Sequence, residues 1–346
     1  MRTCAGPMMA FGILLATLPA SGQDFLPSPM QVEWEAHRFL PWDPDPPVPF
    51  VVAAPLGAKP AIQVMGYLPY WEVGKATLHL DQLTILAYFA AAVGSDGSLT
   101  DTHHWGTSTM TKLVDEAHAA GVKVVLTATN FDKAQIHAIL ANPQPAIDGL
   151  VKAVKAQGGD GVNIDFEGLQ VADKAAMVTF MGKLKKAMDA ALGESHVTAA
   201  SPAVDWSGAW DFDAIEEACD GFMIMGYDYH WSGGQPGPVS PLVSSAKWGS
   251  KSLQWTIDDY LTDGGPENRD LLIVGIPLYG FDWAAEGPQI PGAAKAKGKA
   301  VFLASCLSMR KRTAGTFGTW NRRRRTTSTR PRTGTRSGAK ARCRSR

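Results

Sequence analysis

A (β/α)8 barrel, incomplete at its C-terminus, is the α/β fold this sequence predicts. Three observations predict it. Seven short apolar runs suited to buried parallel strands lie at 62–67, 83–90, 122–128, 161–166, 197–201, 221–226 and 271–276. Helical stretches separate several of them. Together these units approach the ~250-residue scale of such barrels. A doubly wound open sheet is the alternative, but it would want a glycine-rich phosphate turn after the first strand, and Gly66-Tyr67-Leu68-Pro69 is not one.

In chain order, Arg2, the apolar stretch Phe11–Leu18 and the small residues Ala20, Ser21 and Gly22 read as an export signal over 1–22. Residues 23–61 are proline-rich without a sustained period and read as a linker or extended arm. The barrel is expected over 62–290. Its clearest helix is 171–192, with Met177, Phe180, Met181, Leu184 and Met188 on one stripe and Gly193 as the stop. Residues 108–120 and 251–262 also read as helices. Residues 291–346 read as a basic low-complexity tail. Residues 287–346 carry 12 Arg and 5 Lys but no acid, so the body is acidic although the whole chain has no net charge. That abrupt change suits either a genuine basic tail or a shifted reading frame, and no eighth strand is visible in it.

Apolar residues make up 45% of the chain, which rules out global disorder and allows a sizeable core. Four cysteines form no disulfide framework. No apolar run beyond the N-terminus is long enough to span a membrane. His103-His104 and His230 lack the further ligands a metal site needs. No glycine-rich phosphate cradle with its Lys-Ser/Thr is present. No cofactor, metal, nucleic acid or membrane partner is therefore expected.

The chemistry concentrates in the fourth strand, Asp160-Gly161-Val162-Asn163-Ile164-Asp165-Phe166-Glu167. Strand side chains alternate, so Asn163, Asp165 and Glu167 share one face and the apolar residues the other. In a barrel the polar set points inward, with Glu167 uppermost at the C-terminal face, where barrel sites lie. Buried carboxylates are costly without a purpose. Two neighbouring ones raise the pKa of one member, which suits a proton donor. Trp71, Trp105, Trp206, Trp231 and Trp283 follow predicted strands and read as platforms for the apolar faces of sugars or as rim packing.

Asp160 to Glu167 resembles the Asp-Gly-x-Asp-x-Asp-x-Glu signature of the family 18 glycoside hydrolases, the chitinase family. Asn163 stands where most members have Asp. Asn there, with Thr129-Asn130-Phe131 after the third strand, is similar to the bacterial N-acetylglucosaminidases that act on peptidoglycan, including spore-cortex-lytic enzymes. Met225-Gly226-Tyr227-Asp228 resembles the family's Met-x-Tyr-Asp motif, and Tyr67 and Tyr70-Trp71 fit the aromatic end of its first strand.

The resemblance implies a secreted hydrolase of β-1,4 bonds in chitin or peptidoglycan, working by substrate-assisted retention. Glu167 would be the acid, Asp165 would orient the substrate's acetamido group, Tyr227 would hydrogen-bond its oxygen and Asp228 would shape that subsite. Asn163, Tyr67, Trp71, Met225, Trp206 and Trp231 would bind substrate. The expected partner is an N-acetylglucosamine polysaccharide and the chain is read as a monomer. The alternative is a truncated or non-catalytic sugar-binding barrel, since the missing eighth strand closes the family's barrel.

Overall fold

The computed structural model describes residues 29–38, 50–263, 266–286 and 292–302. The readings of residues 1–28 and 303–346, the export signal and most of the basic tail among them, lie outside the described residues.

Seven parallel strands form one curled sheet in chain order: β1 (Met65–Pro69), β2 (Ile85–Val93), β3 (Lys123–Asn130), β4 (Gly161–Phe166), β5 (His196–Pro202), β6 (Phe222–Met225) and β7 (Leu272–Val274). A short strand, Leu99–Asp101, adds antiparallel to the end of β2. Each parallel step is a crossover through the outer layer, the connection parallel strands require. Among the described residues no eighth strand follows β7 in this sheet. The two edges still approach each other: Gln63, just before β1, donates from Nε2 to the Asp270 carbonyl just before β7 at 3.1 Å. Inside the curl, Ile85, Ala87 and Val125 pack with Met65, Tyr67 and Ile273. Beyond β7, Ile276 and Leu278 are exposed.

The outer layer follows from apolar spacing and caps. The helices are α1 (Ser108–Ala119), α2 (Lys133–Ala141), α3 (Gln144–Gln157), α4 (Lys174–Leu192), α5 (Phe212–Glu216) and α6 (Leu253–Asp263). On α4 the stripe Met177, Phe180, Met181, Leu184 and Met188 is fully buried, and Gly193 caps its end at a φ of 88°. Phe180 stacks on Phe166 of β4 with ring centroids 5.7 Å apart, so the outward face of β4 is clamped by α4. Thr107 and Asp132 cap α1 and α2, each accepting from a backbone amide of the first turn. The α2–α3 pair went unread in the sequence because Asn142-Pro143 splits it into two short, alanine-rich pieces.

Two departures concern the flanks. Pro29–His37 is a helix rather than an extended arm, and Val51–Val52 pairs parallel with Thr77–Leu78. Lys299–Phe302 pairs antiparallel with Tyr279–Asp282, so this small sheet crosses the boundary drawn at 290.

Candidate active site

The motif strand is held from both sides. Asp160 accepts from the Val124 amide at 2.6 Å and contacts His118 Nε2 at 2.8 Å. The first acid of the motif is thus a tie between β4 and β3. Above it, Asn163 is fully buried. Its Nδ2 donates to the Tyr67 hydroxyl at 2.9 Å, and its Oδ1 accepts from Thr198 Oγ1 at 2.9 Å. These two contacts use both ends of the amide and fix its orientation. Two residues on, Asp165 is 5% exposed, and its Oδ1 has no hydrogen-bond partner among the described residues. Glu167 follows directly on the strand, half-buried, its amide donating to the Asn130 carbonyl at 3.0 Å.

The alternation expected of β4 therefore holds. Val162, Ile164 and Phe166 belong to the outer core, and Asn163 and Asp165 face the interior. The Asp165 carboxyl is displaced upward, to about 7, and burial is the cause.

This displacement sets a pH dependence of stability. Unfolded, the carboxyl ionises near 3.8; folded, near 7. Between these values the native state holds a proton that the unfolded state has lost, so stability falls as pH rises through the folded pKa. Asp165→Asn is therefore expected to match the parent's melting temperature at low pH and to exceed it by about 3 °C or more above neutrality, as read by calorimetry. A parent and variant that melt alike at both pH values would contradict this.

The end of β6 completes the cluster. Tyr227 and Asp228 lie just beyond Met225, whose carbonyl accepts from the Tyr227 amide at 2.7 Å. Asp228 takes a left-handed φ of 61°, which breaks strand alternation and lets its carboxyl turn in beside Tyr227. Its Oδ1 accepts from the Tyr279 hydroxyl at 2.7 Å, and burial lifts its pKa to about 6. The Tyr227 hydroxyl is pushed well up by burial, then by the charges of Tyr67, Glu167, Asp165 and Asp228. Tyr67 is raised by burial and by Asp165. These mutual influences place Tyr67, Asn163, Asp165, Glu167, Tyr227 and Asp228 in one polar neighbourhood at the C-terminal end of the sheet.

The tryptophans divide. Trp206 and Trp231 stand exposed on the loops after β5 and β6, with the Lys251 ammonium 5.9 Å from the Trp206 ring centre. Trp71 follows β1 and is half-buried between Tyr70, Phe89 and His37. Trp283 packs on Phe281 in the strand that follows β7. Trp105 is a correction. It is 5% exposed, its Nε1 donates to the Ala153 carbonyl at 3.0 Å, and its ring lies against Tyr88. It packs sheet to helices and offers no sugar platform.

His103 stacks on Tyr70 at 3.4 Å with its Nδ1 3.2 Å from Asp101, and both ring nitrogens of His230 meet carbonyl oxygens. Among the described residues no group of three potential ligands gathers.

Sequence reasoning missed Tyr279 and Thr198. Thr198 had a signal, because strand pairing sets it opposite Asn163. Tyr279 had none, since its reach to Asp228 depends on the turn after β6.

Residues 63–333 match the family model described as glycosyl hydrolases family 18. The glycosylase YdhD of Bacillus subtilis is 30% identical over 175 residues, covering 48% of this chain and 38% of that protein. The cortical fragment-lytic enzyme of Bacillus anthracis is 25% identical over 248 residues, covering 66% of this chain and 54% of that protein. The chain thus spans about half or less of the length of these relatives. In three dimensions, the Group IV chitinase of Ostrinia furnacalis superposes with a TM-score of 0.62 at 17% identity, over 73% of this chain and 79% of that one, a likeness of fold.

Proposed function

We propose that this chain, which belongs to glycosyl hydrolase family 18, is a secreted glycosidase that cleaves β-1,4 bonds next to N-acetylglucosamine in chitin or peptidoglycan. The carrying observation is the inward ladder of β4: a locked amide at Asn163, a buried carboxyl at Asp165 with an unpartnered oxygen, and Glu167 above them at the mouth.

That arrangement suits substrate-assisted retention, one of the departures from the two-carboxylate scheme. Glu167 gives its proton to the glycosidic oxygen as the bond to the anomeric carbon breaks. The substrate's acetamido oxygen closes onto that carbon to give an oxazolinium. Asp165 accepts a hydrogen bond from the acetamido N–H and offsets the positive charge. Tyr227 donates to the acetamido oxygen, and Asp228, held by Tyr279, shapes the same subsite. Glu167 then takes a proton from the water that opens the ring, and the configuration is retained. No protein nucleophile is needed. Trp206 and Trp231 offer stacking faces to the sugars, Trp71 stands at the border of the site beneath His37, and Met225 and Tyr67 line the site, which the chain serves as a monomer without cofactor or metal.

Because the nucleophile belongs to the substrate, the N-acetyl group is indispensable. Incubation with N-acetylglucosamine tetramer and with its fully deacetylated counterpart tests this. Chromatography is expected to show shorter sugars from the first only. Equal cleavage of both would overturn the mechanism.

A further inference from the structure

The helix Pro29–His37 lies on the C-terminal face of the barrel, on residues that border the candidate site. Trp34 and His37 are three positions apart and share a face of this helix. The Trp34 ring meets Phe131, just after β3, edge-on at 5.7 Å. The His37 ring stacks on Trp71, just after β1, at 4.6 Å and 11°. Arg38 closes the contact, its guanidinium 4.9 Å from the Trp34 ring centre and paired with Glu35 at 2.9 Å. The helix therefore bridges the ends of β1 and β3.

What it covers is continuous with the acid strand. Beneath it, Trp71 meets Phe89, a fully buried ring midway along β2, edge-on with centroids 6.1 Å apart, Phe89 meets Tyr67 edge-on at 6.1 Å, and the Tyr67 hydroxyl takes the hydrogen bond from Asn163. These buried contacts tie the polar set of β4 to the β1–β3 side. A flat ring parallel to an indole at this spacing is the placement a sugar's apolar face would take. His37 already occupies that face of Trp71. A polysaccharide extending from the acid site over Trp71 toward the β1–β3 side would meet the helix, which sits on Trp71 and Phe131.

We propose that Trp34 and His37 make this helix the end wall of the substrate cleft, so that the enzyme takes its polymer by a chain end rather than at internal bonds. The proposal rests on the glycosidase reading above and adds the mode of attack.

The test uses the full chain with His37→Ala alone and with Trp34→Ala/His37→Ala, followed on two kinds of readout. With N-acetylglucosamine hexamer and a soluble glycol chitin, the parent is expected to release short products from one end with little loss of viscosity. The double variant should cut internally and lower viscosity about fivefold faster or more, while turnover of a chromogenic disaccharide stays within about twofold. Adding Trp71→Ala should abolish the gain. Separately, in a Glu167→Gln background, removal of the two rings should strengthen hexamer binding relative to dimer binding by about fivefold.

Internal cleavage by the parent, or an unchanged product pattern and binding ratio in both variants, would overturn the end wall. A parent that binds the oligomers without hydrolysing them would sink the catalytic reading alone, and the binding ratio would still decide the wall. A parent that binds neither oligomer would sink both.

Discussion

Glu167→Gln is expected to lower hydrolysis of N-acetylglucosamine oligomers by about a thousandfold, within the ~10²–10⁴ range that positioned acid–base groups contribute. The substitution keeps the shape of the side chain and removes the transferable proton. Glu167 follows β4 at the rim, and the packing beneath it, Phe166 on Phe180, does not involve its side chain. The melting temperature should therefore move little. Initial rates for parent and variant, with thermal unfolding of both, check this. A folded variant that keeps more than about a tenth of the parent rate would remove Glu167 from the role of acid.

Gly161→Ala is expected to cost about 4 kcal/mol or more, in the class of severe single substitutions, and to take the site with it. Gly161 opens β4 and pairs with His196 of β5. A Cβ added there would stand 1.9 Å from the His196 carbonyl oxygen and 2.6 Å from its carbon. Both are backbone atoms of the neighbouring strand, so no side-chain rotation relieves the contact. β5 would have to retreat. Its retreat would pull the His196 amide from the Asp160 carbonyl, 2.8 Å away, and Thr198 from Asn163. Denaturant unfolding, together with the yield of folded protein, reads the outcome. Stability equal to the parent's would mean that the β4–β5 register is not as described.

Much of this was legible before any coordinates. The seven strands announced themselves as apolar runs, and each formed within a few residues of its expected place. Alternation within β4 sorted Asn163, Asp165 and Glu167 from Val162, Ile164 and Phe166, because a buried parallel strand must separate its two faces. Tyr67, within β1, and Tyr227, just beyond β6, came to the same neighbourhood because the curled sheet brings those two strands together. Alternation failed for Asp228, where one left-handed residue redirected the chain. It could not reveal Tyr279, whose hydrogen bond to Asp228 spans 51 residues of sequence. Trp105 misled for a related reason. A loop position near a strand end does not say which way the ring turns, and this one turns toward α3 and the Ala153 carbonyl. The helix Pro29–His37 was hidden by a proline-rich setting and gains its place through two aromatic contacts far along the chain.

The most direct test of substrate-assisted retention at β4 is the anomeric form of the first product. Proton NMR of an N-acetylglucosamine oligomer, recorded in the first minutes after enzyme addition, reads it before mutarotation blurs the signal. The account predicts the β-anomer at each new reducing end, ahead of the equilibrium mixture. An initial excess of the α-anomer would mean that water attacks directly from the opposite face, and it would contradict the roles given to the acetamido group and Asp165.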